Sequence, residues 1–153
     1  MRWIFGAAFA AAMIAATPVC AGEWRMVTAA NTFGVYMDQS TLRGENLKTV
    51  WITMAFTETT FNADLSLQLV ELNCEERTMS DLAMMAHLAD GTRTYTRSSR
   101  KPPEHIVPDT MYEYVLKAAC FNDYLVDVPL HFESAYDALN NWRKSRKRAV
   151  EQD

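Results

Sequence analysis

Hydrophobic and polar positions alternate through much of the chain. The clearest run sets Val50, Ile52, Met54 and Phe56 against Thr49, Trp51, Thr53 and Ala55. A period of two with one fully apolar face predicts a half-buried strand. Residues 23–30 and 33–37 are short and rich in aromatic and β-branched side chains, which predicts two earlier strands. Asn31 and Gly34 supply turn or bulge chemistry near their junction. Residues 57–64 are polar and break the alternation. In the following strand, 65–74, Leu65, Leu67 and Leu69 share one parity, and Val70, Leu72 and Cys74 the other. Either a bulge near Leu69 or burial on both faces produces such a phase change.

Residues 82–89 and 92–98 flank Asp90-Gly91. Asp-Gly between strand-like runs is a strong hairpin signal. The first of these runs is rich in Met and Ala, so a helix competes there, but the Thr- and Tyr-rich partner favours a strand. Pro102 and Pro103 end the sheet, because proline cannot donate to a ladder. Thr110 and Glu113 fit a capping box, and Tyr112, Leu116, Ala119 and Cys120 then recur on one helical face. After a connection at 122–129, Phe132, Ala135, Tyr136, Leu139 and Trp142 recur at three- and four-residue steps. They mark a second amphipathic helix, which ends in the basic run 143–148. Strands followed by helices predict an α+β domain: an antiparallel sheet covered by a helix, plus an additional C-terminal amphipathic helix.

The N-terminus changes the picture. Met1-Arg2, the apolar run from Trp3 to Ala16, and Val19-Cys20-Ala21 read as a secretory signal peptide cut before Gly22. The run is shorter than the ~20 residues that span a bilayer as a helix. Cys20 lacks a lipobox, since Thr17 and Val19 stand where it wants leucine and a small residue. The expected organisation is therefore a signal peptide at 1–21, a domain at 22–122 and a helical extension with a basic tail at 123–153. Export places Cys74 and Cys120 in an oxidising compartment, where two cysteines pair. No C-x-x-C or paired-histidine spacing offers them a metal, and His87, His105 and His131 are scattered. With Cys120 on the apolar face of a helix, a bond to Cys74 at a strand end would staple helix to sheet. The formal charge of −4 does not suggest a general nucleic-acid binder.

In order along the chain stand Trp24, Val35-Tyr36-Met37-Asp38 with Ser40, Val50-Trp51, Asn73-Cys74, the Gly91 hairpin, Ile106-Val107-Pro108 and Cys120. This ordered set resembles the surface-adhesin protein E family of Gram-negative bacteria, over roughly Trp24 to Cys120. The resemblance implies an antiparallel sheet covered by a helix near the C-terminus and tied on by a disulfide. It also implies a cell-surface or secreted role in binding host matrix or plasma proteins. The segment beyond Cys120 lies outside it.

Catalytic chemistry finds no footing in the sequence. The serines have no nucleophile-elbow context and there is no Gly-rich phosphate loop. Glu71, Glu75 and Glu76 read as a solvated turn beside Cys74, and Asp38 as a strand-closing turn residue. Trp51 reads as core under a helix or as a ligand-facing aromatic. Arg93, Tyr95 and Arg97 alternate on one face of the hairpin strand, with Arg100 and Lys101 following. That basic strip is the candidate binding surface; an edge kept soluble by charge is its competing reading. The expected function is a non-catalytic exported module, periplasmic or at the cell surface, without metal or cofactor. Its expected partner is a host or envelope protein or a glycan, not nucleic acid. A periplasmic small-ligand carrier or inhibitor is the alternative.

Overall fold

The computed structural model describes residues 22–60, 62–97, 102–126 and 130–151. The expected signal peptide, and Arg100 and Lys101 of the basic strip, lie outside the described residues. The strands are β1 (Gly22–Ala29), β2 (Phe33–Asp38), β3 (Leu47–Thr60), β4 (Ala63–Asn73), β5 (Thr78–Leu88), β6 (Arg93–Arg97), β7 (Glu104–His105) and β8 (Leu130–Phe132). The helices are α1 (Met111–Phe121) and α2 (Ala135–Val150). The strands form one antiparallel sheet in the order β6-β5-β4-β3-β2-β1-β8, with β7 paired to one end of β5. Consecutive strands are neighbours from β1 to β6, so the meander needs only short connections.

Two helices bury opposite faces of this sheet. Along β2, Val35 and Met37 join the cluster of Val50, Ile52, Val70 and Leu72 beneath Val115, Leu116 and Ala119 of α1. Tyr36, between them, points the other way and joins Trp24, Ala55 and Leu65 beneath Ala138, Leu139 and Trp142 of α2. The phase change in β4 comes from burial on both faces, since its register with β3 runs unbroken from Asn73 to Leu65. Leu65 packs under α2 while Val70 and Leu72 pack under α1. A bulge also falls there, carried by the partner strand: Leu69 pairs with Ala83 and Val70 with Asp81, which leaves Leu82 as the extra residue.

A Cys74–Cys120 disulfide with Cα atoms 5.8 Å apart ties α1 to the end of β4. Its 46-residue separation makes the staple worth about 4 kcal/mol in the chain-entropy model. Asn122 closes α1 at φ 59°, its N–H bonded to the carbonyl of Ala118. Asparagine tolerates this left-handed position better than most residues.

Several local expectations are corrected. β3 does not stop at Phe56 but runs on to Thr60, which pairs with Ala63; Glu58 and Thr59 are polar because the sheet there extends past both cores into solvent. The prolines do not end the sheet, because Glu104 and His105 beyond them still pair with Met79 and Thr78. Thr110 caps α1 by position, but no capping box forms. Its hydroxyl donates to the carbonyl of Val107, and the Glu113 carboxylate accepts the Asp109 N–H and the Arg77 guanidinium, each at 2.8 Å. Phe132 belongs to β8 and not to the second helix. It pairs with Gly22 and still reaches the α2 core, edge-on to Tyr36. Gly34 is no turn residue. It lies within β2, where an added Cβ would come 2.8 Å from Trp142. A glycine in a strand interior here marks the close approach of a large side chain.

Candidate functional site

The β5–β6 hairpin positions the basic strip. Gly91 at φ 84° closes a three-residue loop, with Gly91 N–H bonded to Leu88 and Leu88 N–H bonded to Thr92. Asp90 stabilises the turn by accepting the Thr92 N–H at 2.9 Å and its hydroxyl at 2.7 Å. β6 then pairs Arg93 with His87, Tyr95 with Met85 and Arg97 with Ala83. Cross-strand partners share a face, so the three strip residues stand on the α2 side of the sheet. All five β6 residues are exposed, and Tyr95 keeps 60% of its surface in solvent.

The strip divides between two surroundings. Tyr95 and Arg97 border a cleft of about 750 Å³, floored by Leu69 and Ala83 and walled by Leu47, Glu71 and Pro103. The cleft occupies the part of the α2-side face that α2 does not reach. Trp51, cross-strand partner of Leu69 on that face, is half-buried and does not line the cleft. Arg93 stands outside the cleft, towards His87. That histidine is buried and packs edge-on against Tyr136 of α2, ring centroids 4.8 Å apart. Burial, and then the charge of Arg93, hold its imidazole below the usual histidine range.

The other candidates resolve into structural roles. Asp38 accepts the N–H and the hydroxyl of Ser40, at 3.0 and 2.6 Å, and so turns the chain out of β2. Glu75 and Glu76 sit in a turn whose N–H groups bond the Asn73 side chain. Glu71 alone of that acidic group faces the cleft. Among the described residues, no three His, Cys, Asp or Glu side chains gather as a metal site would require. The basic run of α2 is partly spent inward. Arg143 bonds Asp64 at 2.7 Å and the carbonyl of Phe56 at 3.1 Å, whereas Lys144, Lys147 and Arg148 are exposed.

The arrangement offers contact chemistry: an aromatic ring between two guanidinium groups, beside an apolar floor with two carboxylates, Glu71 and Asp81. Sequence patterning found the strip but not the floor. Leu69 reads as an ordinary strand residue until the register sets it across Ala83 from Arg97. Among the described residues, no helix is long and apolar enough to cross a membrane. No curated protein and no solved structure shows significant similarity to the chain. The family model described as surface-adhesin protein E matches residues 24–121, well over half of the 153. That span runs from the first core tryptophan to the end of the stapled helix, and the chain belongs to the surface-adhesin protein E family.

Proposed function

We propose that the domain is a non-catalytic, exported binding module that captures another macromolecule through Arg93, Tyr95, Arg97 and the adjoining cleft. The observation that carries this reading is the exposed Tyr95 held between two arginines on the terminal strand of the sheet. Arginine and tyrosine are enriched at protein interfaces, where a planar group gives much contact area for little lost freedom. Membership of an adhesin family supports the same reading. So does the pairing of both mature cysteines, since an oxidised sulfur is not a nucleophile. The leader at 1–21 supports export to the periplasm or cell surface of a Gram-negative cell. The partner class is a host or envelope protein or glycan.

The test uses tagged full-length protein expressed in a Gram-negative host, recovered from the envelope fraction and used to capture partners from envelope extracts and immobilised matrix proteins. The double variant R93E/R97E keeps its melting temperature, because both side chains are exposed, and loses most of the capture. Undiminished capture removes the strip as the site. Recovery only from the cytoplasm removes the export claim. Turnover of a glycan, peptide or ester that is lost on changing one polar residue overturns the non-catalytic claim.

A further inference from the structure

β6 ends the strand order, and among the described residues no strand pairs with its outer edge. The hairpin fixes which main-chain groups face that edge. Leu88 N–H donates to the Thr92 carbonyl at 2.9 Å, so residues 88 and 92 are a hydrogen-bonded pair. Hydrogen-bonded and non-hydrogen-bonded pairs alternate along an antiparallel ladder. In this register Thr94 with Ala86 and Thr96 with Met84 are therefore the next bonded pairs. The threonines turn their main-chain groups inward to β5. The N–H and C=O groups of Arg93, Tyr95 and Arg97 point the other way, to the open edge. The same three residues thus present both the free main-chain groups and the arginine–tyrosine–arginine row of side chains.

We propose that this edge takes an extended acidic peptide as an added antiparallel strand. Its pattern is acidic–x–apolar–x–acidic, with the acids opposite Arg93 and Arg97 and the apolar residue opposite Tyr95. This rests on the reading of the strip as the binding surface and names its partner. Main-chain bonds supply affinity in strand addition, and alternate side chains supply specificity. The charge row selects against a second copy of the chain. Symmetric antiparallel pairing centred on Tyr95 would set Arg93 directly against Arg97 of the other copy, and like charges directly opposite are destabilising. A partner with carboxylates at alternate positions turns both contacts favourable.

The experiment is calorimetric titration of the full chain with three synthetic peptides. One has a Glu-Thr-Val-Thr-Glu centre, one has lysine in place of both glutamates, and one is the glutamate peptide N-methylated at valine and the second glutamate. The glutamate peptide is expected to bind, and the lysine peptide to bind at least about tenfold more weakly. The N-methylated peptide is expected not to bind, having lost two donors to the edge. R93E/R97E is expected to reverse the preference in favour of the lysine peptide, with R93Q/R97Q abolishing it should the reversal variant fold poorly. Binding of the N-methylated peptide at full affinity overturns strand addition while leaving the strip as a side-chain contact surface. An unchanged glutamate-peptide affinity in both arginine variants overturns the strip reading as well. Absence of binding by every peptide overturns the acidic-strand partner.

Discussion

At the residue scale, His87 shows how one position joins the site to the core. It sits on the strand that carries β6, lies buried under α2 against Tyr136, and feels the charge of Arg93. Its folded-state pKa is depressed, so the unfolded chain binds a proton at a pH where the folded chain does not. The stability it permits is fully present above the ordinary histidine pKa and is lost as pH falls through the depressed folded value. The melting temperature should therefore drop as pH falls through and below the ordinary histidine range. H87F should flatten that part of the profile, since phenylalanine keeps the ring contact and cannot charge. An identical pH profile in the two proteins would mean that His87 stays solvated. Composition alone could not reveal this histidine's role, because nothing in the sequence around it says which face of the sheet it occupies or that a helix nearly fifty residues later covers it.

At the element scale, the chain past Asn122 completes the sheet domain. β8 extends the sheet beside β1, and α2 covers Trp24, Tyr36, Ala55 and Leu65. Trp142 anchors the contact: its ring packs against Gly34, and its indole N–H donates to Thr57 at 3.1 Å. W142A should cost about 3–5 kcal/mol in chemical denaturation, because it empties a filled site and releases that bond. A loss below about 1 kcal/mol would show that α2 is dispensable to the fold. Much of this level was legible beforehand. Strand alternation, the Asp-Gly turn and the helical stripe at Tyr136, Leu139 and Trp142 are local signals, and each marked a real element. The errors were non-local. Gly34 has a turn-like identity but a packing role set by a tryptophan more than a hundred positions away. Phe132 fits the helical spacing by coincidence, because a strand feeding the helix buries its side chain on the same side. The polar run at 57–60 gave no sign of strand because the sheet there extends past both cores and so needs no apolar face.

At the scale of the whole molecule, the two helices leave the sheet unequally covered. α1, stapled through Cys120, and α2, anchored through Trp142, close the middle of the sheet from opposite sides. Among the described residues nothing pairs with the outer edge of β6, which carries an exposed aromatic and two cations in one place. The core and the β6 edge are thus separate parts of one sheet, so surface substitutions on β6 test the proposed capture without threatening the fold. The sequence carried the strip, because alternation along one strand is visible in one dimension. It did not carry the openness of the edge, which depends on strand order. The most direct test is amide hydrogen exchange on the full chain with and without its captured partner, read residue by residue along β6. Binding at the edge predicts that the outward-facing amides of Arg93, Tyr95 and Arg97 exchange quickly in the free protein and become strongly protected in the complex, with Thr94 and Thr96 little changed. Protection that appears elsewhere while those three amides exchange as before would contradict the account.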